Sequence, residues 1–237
     1  MERERELDRQ RTAFFSAASH ELKTPVTILK GQLSGMLDGV GAYRDRDKYL
    51  LRSLQVAGRM ERLIGEMLAI SRMETGSAEV RRERVDLSAL LDRRLMQDDE
   101  MFRLRGQRLI SDLTPGVSVA GDEAMLEKVV GCLLSNAALY SPEGAQVRVW
   151  CGRLESRPSF TVENSGAQIS ADALPHLFEP FYRAAGSRSR APGGSGLGLY
   201  LVKMILERHG AECRLENTAE GVRATVTFPA EGSVDRL

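Results

Sequence analysis

The stretch APGGSGLGLYLV sets Gly193, Gly194, Gly196 and Gly198 directly before an apolar, helix-forming run. Glycines ahead of a helix let backbone N–H groups close on a phosphate, and the helix dipole favours the anion there. The loop fits neither common phosphate motif. A dinucleotide fold needs an apolar strand just before the glycines, whereas RAAGSRSRAP is polar. A Walker loop needs Gly-Lys-Ser/Thr, which is absent. On this motif alone, a phosphate cradle of another kind and a flexible linker both stand.

Three further stretches narrow the choice. LLSNAALYSPEG places Asn136 and Tyr140 on a helix that ends in a turn. VENSGAQI places an Asn164–Ser165–Gly166 bend after a strand, and LFEPFYR brings aromatic side chains to the edge of the polar loop. Each is ordinary singly; their order is not. Far upstream, SAASHELKTP puts His20, one of 3 histidines, one residue before Glu21 and five before Pro25.

These groups need elements to hold them. Apolar residues at Phe15, Ala18, Leu22, Leu29, Leu33 and Met36 recur at helical spacing, and so do Leu50, Leu54, Ala57, Leu63, Met67 and Ile70. DGVGAYRDRD interrupts the pattern, so two helices form an antiparallel hairpin. One hairpin buries a single stripe per helix. A second copy would complete a four-helix bundle, the alternative being cover from the rest of the same chain. After the linker SRMETGSAEVRRERVDLS, a helix opens with Ser88 as its cap and another with Asp122. Strands are expected at RLISDL, VSVAGD, AQVRVWCGRLES, PSFTVENS, ECRLENT and VRATVTF. The fold class is therefore α+β, with one sheet and one helix layer in the second part.

Composition sets the outer bounds. With 33 basic and 33 acidic residues the net charge is zero, which argues against a nucleic-acid binder. Cys132, Cys151 and Cys213 lack metal-ligand spacing and suit a reducing compartment. No apolar run reaches the roughly 18 residues a membrane helix needs, so a cytosolic chain is expected. MERERELDRQRT suits a solvated helix, not a secretory signal.

Taken together, the motifs resemble the cytoplasmic portion of a bacterial sensor histidine kinase. ASHELKTP resembles that family's H box, LLSNAALYS its N box, VENSGAQI its G1 box, LFEPFYR its F box and GGSGLGL its G2 box. VENSG and GGSGLGLYLVKMIL are similar to the vancomycin-resistance type of sensor kinase. The resemblance implies a dimeric four-helix bundle followed by an α/β-sandwich ATP-binding domain with a mixed sheet. It implies a division into a signal-relay helix (1–12), a dimerisation and phosphotransfer hairpin (13–76), a linker (77–85), a catalytic domain (86–230) and a tail (231–237).

It implies a function as well. His20 would take the γ-phosphoryl of ATP and pass it to an aspartate of a response regulator. Glu21 would hold the imidazole and accept its proton, and Thr24 would help orient a water for dephosphorylating the regulator. Asn136 would ligate Mg²⁺. Tyr140, Asn164, Gly166, Phe178, Arg188, Gly194, Gly196, Leu197 and Gly198 would bind the nucleotide, with a lid from about Arg183 to Ser195 carrying Arg188 and Arg190. The full-length protein would be a homodimer anchored in the membrane through segments outside this chain.

Departures from the pattern keep a second reading open. Cys132 stands where the first asparagine of the N box is usual, and Leu139 where a basic residue is usual. Asn164 stands where an aspartate accepts the adenine amino hydrogen, and Gln168 replaces a glycine. A non-catalytic or phosphatase-biased scaffold with weakened nucleotide binding is the alternative. A clamp ATPase of the chaperone or topoisomerase kind is the third, and the helix bearing His20 argues against it.

Overall fold

The structure, a computed structural model, describes residues 2–76, 80–184 and 194–230. The chain divides into two compact units, Met1–Ala69 and Ile70–Leu237.

The first unit is the hairpin. Helix α1 (Glu2–Asp38) runs without a break through position 12 and through Pro25, and α2 (Arg46–Glu74) returns after a 3-10 turn (Gly41–Arg44). The turn is built from its sequence. Gly39 and Gly41 adopt positive φ, and the Val40 N–H donates to the Gly35 carbonyl, closing α1. Asp45 then accepts from the Lys48 N–H, which starts α2. Gly35 leaves room for the Tyr43 ring, because a β-carbon there would lie 2.5 Å from it. Tyr43 in turn packs on Tyr49 with ring centroids 4.5 Å apart.

The apolar stripes split. Ala18, Met36 and Leu63 are buried inside the hairpin, and Ser53 donates to Gln32 at 2.8 Å. Phe15 and Leu54 of the same expected stripes are 67% and 68% exposed, and Leu33 and Leu50 are exposed too. Two helices in one layer cannot cover both sides of their apolar surface.

The second unit begins with the last turn of α2, where Ile70 and Met73 are buried. Strands β1 (Glu83–Asp86), β2 (Arg108–Leu113), β3 (Ser118–Gly121), β4 (Gln146–Leu154), β5 (Arg157–Ser165), β6 (Glu212–Asn217) and β7 (Gly221–Thr227) alternate with α3 (Leu87–Leu104), α4 (Glu123–Tyr140) and α5 (Gly198–Arg208). The main sheet has the order β2-β4-β5-β7-β6. It is mixed: β2 runs parallel to β4, while the other pairs are antiparallel. β1 and β3 form a separate antiparallel pair.

The helices cover one face. Val147 and Val149 of β4, and Phe160 and Val162 of β5, are buried with Leu126, Val130 and Leu134 of α4 and Val202 and Ile205 of α5. Alternation along the strands, with buried residues every second position, places this core on one side of the sheet.

Two local expectations change. Residues 83–85 of the expected linker form β1 together with Asp86, because Val85 is buried and pairs with Val119. The α3 cap is Asp86, whose carboxylate accepts from the Ala89 N–H, and not Ser88. Ser88 lies inside the helix, buried, donating to the Thr114 carbonyl and accepting from the Val117 N–H. The helix begins at Leu87, one residue before the serine, so the serine hydroxyl is free to tie α3 to the loop before β3. Residues 77–79 of the linker and the tail 231–237 lie outside the described residues.

Candidate functional site

On α1, the His20 side chain is 80% exposed, with Glu21 next to it. The imidazole Nδ1 lies 3.9 Å from Glu21 Oε1, a charge-pair distance longer than a hydrogen bond. Thr24 sits one turn on, its hydroxyl donating to the His20 carbonyl at 3.4 Å. Ser19 and Thr27 bond back to Phe15 and Lys23 in the same way. Pro25 has no N–H to give the Glu21 carbonyl, so the helix loses one rung just after the histidine.

In the second unit the motifs converge on the C-terminal end of α4. Asn136 is half-buried there, one turn before the partly exposed Tyr140. Gly194 is beside both Tyr140 and Leu139: a β-carbon at 194 would lie 3.2 Å from the tyrosine hydroxyl and 3.5 Å from the leucine. Gly166, at positive φ, packs on Pro142 just past the helix; a β-carbon there would come within 2.7 Å of the proline ring. The G1 bend and the G2 loop thus meet at one helix end.

Gly198 opens α5 and Leu197 before it is fully buried. Ser195 caps the approach by accepting from the Leu197 N–H. Gly196 has φ +75°, and a β-carbon on it would lie 2.7 Å from the Phe181 carbonyl carbon. Phe181 itself has φ +63° and donates its N–H to the Gly196 carbonyl. Left-handed backbone at a non-glycine aromatic is rare and is held here by that bond.

Asn164 ends the buried row of β5. It is 7% exposed, on the same face as Phe160 and Val162, and its Nδ2 is buried with no hydrogen-bond partner. A buried amide nitrogen left unpaired costs free energy. On β7, Gly221, which pairs with Ser165, comes so close that a β-carbon would lie 1.8 Å from the Asn164 carbonyl oxygen.

The departures from the family pattern find physical accounts. Gln168 does not enter the site: its Nε2 donates to the Thr218 and Gly221 carbonyls, and Asn217 grips the Ile169 backbone from both amide atoms. Cys132 lies under the start of α5, its sulfur 3.9 Å from where a Gly198 β-carbon would sit. Phe178 is half-buried in the segment before Phe181. Arg188 and Arg190 lie outside the described residues, as does Gly193.

The sequence reading missed Phe181, Pro142, Gln107 and Asn217. Gln107 donates to the carbonyls of Ala138 and Ser141 and so holds the end of α4. Nothing local in the sequence signals these roles, because each depends on a partner at least 15 residues away.

Comparison with known proteins gives the family. The model of the His Kinase A (phospho-acceptor) domain matches residues 10–76, and that of the histidine kinase-, DNA gyrase B- and HSP90-like ATPase matches residues 121–232. The chain belongs to the sensor histidine kinases. It is 34% identical to the sensor protein VanSB of Enterococcus faecalis over 96% of this chain and 51% of that protein. It is 33% identical to the signal transduction histidine-protein kinase BaeS of Escherichia coli, over 95% and 48% respectively. The chain therefore spans about half the length of the curated relatives it matches. Among solved structures, histidine kinase AdeS of Acinetobacter baumannii superposes with TM-score 0.75 at 24% identity, covering 90% of this chain and 98% of that one. That likeness is one of fold.

Proposed function

We propose that the chain is an ATP-dependent protein-histidine kinase that phosphorylates His20 and passes the phosphoryl group to an aspartate of a response regulator. The observation that carries the proposal is the exposed His20, with Glu21 at its Nδ1, on the helix matched by the phospho-acceptor model. The same helix disfavours a plain clamp ATPase, which needs no phosphoacceptor.

In this reading His20 is the nucleophile. A neutral imidazole carries on one ring nitrogen the lone pair that such an attack needs. The lone pair of Nε2 forms the bond to the γ-phosphorus, the bond to the bridging oxygen breaks, and ADP leaves. The proton on Nδ1 passes toward Glu21, the carboxylate on that side. Thr24 serves the reverse function, orienting a water that removes the phosphoryl group from the regulator.

The second unit holds the nucleotide. Asn164 faces the base, Tyr140 and Phe178 flank it, and Gly166 lets the chain turn beneath it. Gly194, Gly196, Leu197 and Gly198 present backbone N–H groups and a helix start to the phosphates. Asn136 is the ligand assigned to Mg²⁺. Among the described residues no group of three or more His, Cys, Asp or Glu gathers to bind a metal, so Asn136 is the one protein ligand assigned to it here. When bound it neutralises charge on the phosphates.

The assembly is a homodimer, supported by the exposed Phe15, Leu33, Leu50 and Leu54 on the hairpin. Residues 13–76 are the phosphotransfer hairpin and 86–230 the catalytic domain. A response regulator is the partner; the structure of histidine kinase ThkA with the response regulator TrrA, 20% identical and TM-score 0.72 over 93% of this chain and 63% of that one, shows the same fold. Among the described residues no helix is long and apolar enough to cross a membrane. We place this portion on the cytoplasmic side of a membrane sensor, where ATP and regulators are found.

The test is incubation with γ-labelled ATP and Mg²⁺, wild type beside His20→Gln. Acid-labile, alkali-stable label on the wild type alone is expected. Intact nucleotide binding with no label would move the reading to the scaffold.

A further inference from the structure

Asn164 lies where the nucleotide site reads the base, and its chemistry there differs from a carboxylate's. A carboxylate only accepts hydrogen bonds. It welcomes the 6-amino group of adenine and repels the 6-oxo group of hypoxanthine or guanine, which is itself an acceptor. A carboxamide carries both a donor and an acceptor on one planar group. Facing adenine, it accepts from the 6-amino group; turned over, it donates to a 6-oxo group.

Whether it can turn depends on what holds it. Asn164 is 93% buried at the end of the apolar row formed by Phe160 and Val162, its relative exposure being 7%. Its Nδ2 is buried and has no hydrogen-bond partner. No bond to a described residue fixes the orientation of the amide, and the terminal torsion of asparagine is broad and roughly two-fold. Gly221, packed on the Asn164 carbonyl, holds the backbone and leaves the side chain the one adjustable part.

We propose that the base site of this chain accepts 6-oxo purine triphosphates as well as ATP, with Asn164 as the residue that removes the discrimination. The inference rests on the nucleotide-site reading above.

The test is calorimetric titration of the purified chain, with Mg²⁺, by ATP and by inosine triphosphate, whose base is a 6-oxo purine with no 2-amino group. In the wild type the two affinities are expected to agree within about tenfold, because the amide can serve either base with a neutral bond. In Asn164→Asp the ratio should exceed about 100-fold in favour of ATP, as a buried acceptor is then set against an acceptor. The wild-type ratio decides the matter even if the variant does not fold. ATP binding with inosine triphosphate more than about 100-fold weaker in the wild type would overturn the inference and leave the kinase reading standing. Failure of both nucleotides to bind would overturn the nucleotide-site reading and this inference with it.

Discussion

Gln107 donates from one amide nitrogen to two carbonyls, those of Ala138 and Ser141, each at 3.0 Å. The last carbonyls of a helix have no partners within it, and this side chain supplies one from the start of β2. The helix end it holds is the one that carries Asn136 and Tyr140 and leads to Pro142.

Gln107→Leu should therefore act twice. The part-buried Ser141 carbonyl loses its donor and the Ala138 carbonyl keeps only the longer bond from Arg105, which costs about 1–3 kcal/mol of stability. The end of α4 also loosens, so ATP affinity should fall further than the stability loss alone would bring about. Thermal denaturation beside nucleotide titration separates the two. Unchanged affinity in a destabilised variant would show that Gln107 supports the fold and not the site.

Gly221 predicts a sharper effect. A β-carbon there would meet backbone, the Asn164 carbonyl oxygen at 1.8 Å and the Ser165 Cα at 2.8 Å, and backbone cannot step aside as a side chain can. Gly221→Ala should open the β5–β7 pairing, lower stability by more than about 2 kcal/mol and abolish nucleotide binding. Chemical denaturation with an ATP titration checks both.

Glu163 gives a pH signature. Burial alone would raise its pKa, but bonds donated by Arg223 and Thr218 outweigh it and hold the carboxyl below its ordinary range. A carboxylate with a lowered folded pKa stabilises the protein above its unfolded pKa, about 4.3, and loses that contribution as pH falls through the folded value. Glu163→Gln should thus be less stable than wild type at pH 7, with the gap narrowing below about pH 4. A gap that stays constant from pH 7 to pH 3.5 in urea denaturation would assign the effect to the shape of the side chain and not to its charge.

Thr24 tests the division of labour on α1. Its hydroxyl bonds only its own helix, at the His20 carbonyl, so removing it should leave the histidine in place. Thr24→Ala should label from ATP within about twofold of wild type, since an exposed back-bonded hydroxyl contributes little to the helix. Removal of phosphoryl groups from the regulator should slow by about tenfold or more, as expected for a lost water-orienting group. Equal loss of both activities would place Thr24 in the kinase step.

The legible parts of this protein were those written locally. The hairpin followed from apolar spacing of three and four and from a turn rich in glycine, and α4 from its Asp122 cap and amphipathic pattern. All the strands but β1 were visible as alternation between turn residues. β1 was not, because four residues with one buried valine carry no period, and only pairing with β3 makes them a strand. Ser88 had the type and place of a cap, yet Asp86 took that role once the helix began at Leu87.

The site divides in the same way. The order of His20, Asn136, Asn164 and the G2 glycines is sequence information, since each sits in a short motif with its own local geometry. What Gln168 does, why Phe181 is strained against Gly196, and that Asn164 is buried with an unpaired nitrogen belong to tertiary structure. Those facts arise from contacts across the sheet and between loops. No local run of residues encodes them, because the closeness that makes each one matter exists only after β5, β7 and α4 have packed.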